Sequence, residues 1–328
     1  MTMDPTLPEP RGPLSEAVIT ALAGGSPPEV APRTVRDAEP LGEDLQLALY
    51  VCYELHYRGF DQVESRWEWD PELLRLRGRL EDRFLATLRA ESPGGTDVEI
   101  ALEPLLVEDP GAYGVSHHLL DAGRWWEMRE YLAHRSIYHL KEADPHAWVI
   151  PRLRGESKAA LVAVEFDEFG GGRGERMHAK LFADLLDGAG LDSRYGHYLD
   201  HAPARTLATV NLMSLFGLHR ALRGALVGHF AAAEITTPPG ANRLAQALTR
   251  LGAGPECTRF FTEHIEADAV HEQVMRRDVI GDLLSREPEL ASDVVLGIQA
   301  TALLEDRLGD HLLACWRSGR TSLRRPLP

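Results

Sequence analysis

The chain has 328 residues, 44% of them hydrophobic, and a formal net charge of -15. That length admits one large domain or two smaller ones with a sizeable core, and the acidic balance argues against a broad phosphate-binding surface and so against nucleic acid as a partner. No apolar run approaches the roughly 18–20 residues needed to span a bilayer, and the Pro-rich stretch from Met1 to Gly12 lacks the basic start and apolar centre of a signal peptide; the expected location is the cytoplasm, away from membranes.

Residues 1–40 hold many Pro and Gly and few large apolar side chains, and are expected to be poorly ordered. A helical extension over 41–113 follows. Asp44 opens an apolar helix from Leu45 to Tyr57. Pro71 stands where another would start, and Leu73, Leu76, Leu80, Phe84 and Leu88 recur at steps of three or four. Ser92-Pro93-Gly94-Gly95 closes this part. The main body covers 114–318, with helical patterns at roughly 115–122, 124–142, 156–168, 176–188, 205–234, 241–251, 256–284 and 288–317. Breaks are predicted at Ala143-Asp144-Pro145, Gly170-Gly171-Gly172, Thr237-Pro238-Pro239-Gly240 and from Gly252 to Pro255. The basic tail within 319–328, Arg320 to Arg325, reads as a frayed end. No alternating strand pattern, Walker loop or dinucleotide fingerprint stands out. The expected fold is an all-α bundle with an N-terminal helical extension.

Three segments carry candidate chemistry. In Phe260-Phe261-Thr262-Glu263-His264-Ile265-Glu266-Ala267-Asp268-Ala269-Val270-His271, the side chains of His264, Asp268 and His271 stand at i, i+4 and i+7, on one helical face. Two imidazoles and a carboxylate suit a borderline metal such as iron; alone, they also suit a stripe of satisfied core histidines. Glu168 ends one helix, a glycine run lets the chain turn, and His178 follows in the next helix. The plain alternative is a solvated terminus with a C-cap glycine. Glu234 ends a largely apolar stretch, where a buried, unpaired carboxylate would be costly; it too could simply point to solvent. A fourth acid, Glu142, ends another helix. Helices donating Glu, Asp and His inward are how bundles build di-metal carboxylate sites, and four carboxylates offset two Fe(II) ions.

In order and spacing these residues resemble the haem-oxygenase-like di-iron oxidases and oxygenases. The run His264-x-x-x-Asp268-x-x-His271 resembles that family's last ligand helix. The Glu168–His178 segment resembles the form found in an N-oxygenase of the family, where Glu142 would match an additional carboxylate ligand. The N-terminal Tyr53-Glu54-Leu55-His56-Tyr57 and Trp67-Glu68-Trp69-Asp70 resemble proteins grouped as iron-containing redox enzymes. The resemblance, over roughly residues 115–317, implies a seven-helix haem-oxygenase-like fold with two irons and O2 as co-substrate. One iron would take Glu168, His178, part of the 264–271 stripe and, in addition, Glu142; the other would take Glu234 and the rest of the stripe. It further implies a small, amino-acid-derived substrate undergoing N-oxygenation, desaturation or oxidative C–C cleavage, an external electron donor, and a homodimer.

Other readings stay in view. Glu175-x-x-His178 and Asp268-x-x-His271 approach the ferritin-like Glu-x-x-His pair, but the glycine break favours Glu168 over Glu175. A metal-free haem-oxygenase-like enzyme would not need this ligand set, and a non-catalytic iron-binding protein would use it without chemistry. Trp125-Trp126 and Tyr131 read as core, whereas His134, Tyr138 and His139 are candidates to line a pocket. His219 and His229 lie on one predicted helix, and His229 is the one position that tempts a haem reading, which the acidic set argues against. Cys52, Cys257 and Cys315 form no C-x-x-C pair and have no activating neighbour in sequence.

Overall fold

The computed structural model describes residues 4–109 and 111–327, the side chains of 266–269 excepted. In chain order the helices are α1 (Pro13–Gly24), α2 (Pro32–Asp37), α3 (Glu43–Glu54), α4 (Pro71–Glu91), α5 (Val98–Leu106), α6 (Val115–Asp121), α7 (Trp125–His139), α8 (Asp144–Ala147), α9 (Gly155–Glu168), α10 (His178–Gly188), α11 (Ala204–Leu218), α12 (Arg223–Arg250), α13 (Pro255–Gln273), α14 (Gly281–Arg286) and α15 (Ala291–Arg317). A π-helical stretch, Val274–Ile280, joins α13 to α14 without a break. No strand occurs among the described residues.

Helix α12 is the spine, packed along α13 on one side and α15 on the other. Two glycines set its distance from α15. A Cβ on Gly228 would lie 2.0 Å from the carbonyl oxygen of Val294, and one on Gly297 would lie 2.0 Å from that of Ala225. The backbones therefore touch, and Leu226, Val227, Phe230, Val294 and Ile298 close the core around the contact.

Four sequence expectations change. Helix α12 runs through Pro238 and Pro239, where a break is predicted. Neither proline can donate to the carbonyl four residues back. The Thr236 and Thr237 hydroxyls donate to the carbonyls of Ala232 and Ala233 at 2.9 and 2.8 Å, and Ala241, Leu244 and Leu248 stay buried beyond the prolines. Tertiary packing thus outweighs the local signal. The real interruption falls at His219, in extended backbone between α11 and α12.

Residues 1–40, expected to be poorly ordered, contain α1 and α2. Helix α1 buries Leu14, Val18 and Leu22. Its N-cap is Gly12, which has no side chain, so Asp44 caps it from afar by accepting from the N–H groups of Leu14 and Ser15 at 2.9 and 2.7 Å. The basic tail, expected to fray, docks. The Ser322 amide and hydroxyl donate to the buried Glu130 carboxylate at 2.9 and 2.7 Å.

The extension is built into the body. Every residue of α3 from Leu45 to Glu54 is buried. Glu54 meets Lys141, just after α7, at 2.9 Å, with their side chains 0% and 1% exposed.

Candidate metal centre

Four segments bring buried ligand-type side chains to one place. Glu142 follows α7, Glu168 ends α9, His178 opens α10, and His264 lies on α13. These four offer ligand atoms that all lie within 4.8 Å of one another, and Glu168, Glu234 and His271 do the same. Glu168 belongs to both sets. Six of the seven residues singled out in the sequence therefore converge; Asp268 lies outside the described residues. The sets also divide the α13 stripe, His264 to the first and His271 to the second.

The glycine run makes this local geometry. Gly170, Gly171 and Gly172 all have positive φ, and a Cβ on Gly170 would come within 2.6 Å of the backbone at Arg176 and Met177. The chain doubles back tightly enough for His178 Nδ1 to sit 2.8 Å from Glu168 Oε2. That close approach lacks hydrogen-bond alignment, as expected of two donors aimed at a common third body. Glu175, the competing acid, is exposed.

Neighbours fix the orientation of the histidines. His264 Nδ1 donates to the carbonyl of Phe260 at 2.7 Å, and its Nε2 faces Glu142 Oε1, 3.7 Å away. His271 Nδ1 lies 3.1 Å from Glu234 and Nε2 3.2 Å from Asp167. A carboxylate behind a ligating imidazole is the usual second partner at metal sites. His139 Nδ1 lies 2.9 Å from Glu142 Oε2. Burial works to raise the Glu142 pKa, but His139 and His264 beside it hold the carboxyl well below its ordinary value. Glu234 goes the other way, pushed well up by burial and then by the charge of Glu168.

Glu165 was not assigned from sequence. It is 2% exposed, neither carboxyl oxygen has a hydrogen-bond partner, and burial with the charges of Glu168 and Glu234 pushes it up to about 9. The available signal was its place three residues before Glu168, on the same face as Leu161 and Val164. Asp167 gave no signal: its role depends on His271, more than 100 residues away.

The donor set fits iron. Imidazole and carboxylate suit first-row divalent ions, and a cluster of buried carboxylates that pushes its own members toward protonation is the environment a cation would relieve.

The profile of the iron-containing redox enzymes matches residues 129–306, more than half of the chain and every residue of both donor sets. This chain belongs to the iron-containing redox enzyme family. Its all-α architecture is the haem-oxygenase-like fold of that family, and an oxidoreductase activity goes with membership. The nitrosourea synthase of Streptomyces achromogenes subsp. streptozoticus is 24% identical over 273 residues, which are 82% of this chain and 52% of that protein. The chain thus spans about half the length of this curated relative.

In this iron-containing redox enzyme the donor sets open onto a cavity of about 620 Å3, a size suited to a small metabolite. Tyr138 and His139 line it, as the sequence allows, together with Arg135, His146, His229, Phe230 and Glu305. His134 does not; it is buried between Thr206 and Ser322 at 2.6 and 3.0 Å. No described helix is long and apolar enough to cross a membrane.

Proposed function

We propose that this chain is a non-haem di-iron oxidase or oxygenase that activates O2 against a small, amino-acid-derived metabolite. The observation that carries the reading is Glu168, the carboxylate that the two buried donor sets share among the described residues. One metal would take Glu142, Glu168, His178 and His264; the other would take Glu168, Glu234 and His271, with Asp268 completing the ligands. When bound, iron supplies the redox chemistry that protein side chains lack.

The chain's own residues do the rest. Glu142, Glu168, Glu234 and Asp268 match the charge of two divalent ions. The carbonyl of Phe260 and the carboxylate of Asp167 hold His264 and His271 in orientation. Phe230, Phe261 and Leu244 form apolar walls that limit water, and the polar lining orients substrate. Similarity to a nitrosourea synthase favours a nitrogen centre as the site of attack, with desaturation and oxidative C–C cleavage as the other outcomes. Inserting one oxygen atom and releasing the other as water consumes two electrons and two protons beyond those of the substrate bond. An external electron donor is therefore part of the proposal, as are a homodimer and a cytoplasmic setting.

The test is anaerobic Fe(II) loading followed by mixing with O2. The expected result is O2 consumption with a transient iron-dependent absorption band. Fewer than one iron bound per chain, together with no O2 uptake, would overturn the reading. Stoichiometric iron uptake with slow release and no O2 consumption would favour a non-catalytic iron-binding protein.

A further inference from the structure

His229 lines the cavity but belongs to neither donor set. Its side chain is buried, 2% exposed, five residues before Glu234 on α12. Its Nδ1 lies 2.8 Å from the Thr301 hydroxyl, and that hydroxyl lies 2.7 Å from the carbonyl oxygen of Gly297. A carbonyl can only accept, and two oxygens approach to 2.7 Å only with a proton between them. The single hydroxyl proton of Thr301 is thereby committed to Gly297. Nδ1 of His229 must then be the donor to Thr301, and Nε2 carries the lone pair. Burial supports the neutral ring, holding its pKa down to about 4. Nε2 has no hydrogen-bond partner in the structure.

The close approach of α12 and α15 fixes this arrangement. Gly297 is both the acceptor for Thr301 and a glycine at the helix contact, so the ring is held by backbone. Beside it, the His146 ring stacks on Phe230 with centroids 4.1 Å apart and lies 5.2 Å from the His229 ring. The charge of Glu305, also on the cavity wall, acts on His229. Glu305 is held bidentate by Arg135 at 2.9 and 2.7 Å, which leaves each carboxylate oxygen a free lone pair. A buried acceptor with a fixed tautomer and no partner is costly unless something supplies a proton to it.

We propose that His229 Nε2 is a substrate-binding acceptor, which takes a hydrogen bond from an N–H or O–H group of the substrate and, with Glu305, selects an amine or hydroxyl over a carboxylate at that end of the cavity. This rests on the reading of the cavity as the substrate site, but its test does not depend on turnover.

The test uses the full chain labelled with [15N]histidine and loaded with zinc, which is diamagnetic. The first readout is the 15N shift of His229 Nε2, assigned by its loss in His229→Leu. An unprotonated Nε2 with a protonated Nδ1 is expected; the opposite tautomer would overturn the proposal. The probes are short-chain primary amines and alcohols against carboxylates of equal length. Amines and alcohols should bind and shift Nε2, and carboxylates should not. In His229→Leu, amine binding should weaken about tenfold, the worth of one hydrogen bond, with metal content unchanged. Equal binding of carboxylates and amines, or amine binding indifferent to His229→Leu, would sink it. If the protein took up no metal while Nε2 still responded to amines, the di-iron reading would fail and this one would stand.

Discussion

Lys141 and Glu142 are adjacent in sequence and serve opposite kinds of buried charge. Lys141 turns into a closed network. Its ammonium is 2.9 Å from Glu54, over the rings of Tyr57 and Tyr50 at 4.4 and 4.8 Å, and the Tyr195 hydroxyl lies 2.7 and 2.8 Å from the two Glu54 oxygens. Glu142 turns into an open one, where Glu168, Glu234 and Glu165 crowd together and burial pushes Glu234 and Glu165 up in pKa. The first cluster contains its own counterion. The second leaves negative charge for a cation from outside the chain to balance. A buried ion pair is thus structural where the chain completes it and functional where the chain leaves it incomplete.

The sharpest way to break the comparison is Lys141→Met. It leaves Glu54 buried without its cation and is expected to cost about 3–5 kcal/mol, by denaturant unfolding, whether or not metal is present. Lys141→Met combined with Glu54→Gln should recover most of that loss. A loss that metal abolishes would mean the closed network is not independent of the open one.

The open cluster was largely legible in sequence because its ligands sit on helices whose periodicity is clear: His264 and His271 share a face of α13, and Glu168 and His178 flank a glycine run. Sharing of Glu168 was not legible, since it depends on where α9 ends relative to α12 and α13. Glu165 was missed for the same reason; on sequence alone it is one acid among several at a helix end. The closed network was invisible, because Glu54 and Lys141 are 87 residues apart. Local breaker rules predict a break at Pro238 and Pro239 because they do not include the packing of Ala241, Leu244 and Leu248.

A second prediction concerns pH. Glu165 is raised to about 9 in the folded chain from an ordinary 4.5, and Glu234 is raised as well. At these two carboxyls the metal-free fold therefore holds protons that the unfolded chain has released above pH 4.5. Stability from these groups is fully present below that pH and is lost as pH rises toward 9, at up to about 1.4 kcal/mol per pH unit for each group. His134 and His229, lowered to about 3 and about 4, act in the other direction. Their contribution is present above pH 6.5 and is lost as pH falls from there toward about 4 and about 3. Chelated protein should thus lose stability between pH 6.5 and 9, and Glu165→Gln should flatten that decline. Metal-loaded protein should lack it, because the cation replaces the protons. Melting temperatures across pH with and without metal measure this, and identical profiles in the two states would count against an incomplete cluster.

The smallest effect expected is that of Tyr195→Phe. It removes one hydrogen bond to a carboxylate that keeps Lys141, at a cost of about 1.5–3 kcal/mol, equal in metal-free and metal-loaded protein. A metal-dependent cost would blur the line between the two clusters.

The most direct test of the central claim is iron per chain after anaerobic loading of the wild type, His271→Ala and Glu168→Ala. If Glu168 joins two metal sites, the wild type should hold close to two irons, His271→Ala close to one, and Glu168→Ala almost none, each variant remaining folded by circular dichroism. Full iron content in a folded Glu168→Ala variant would contradict it.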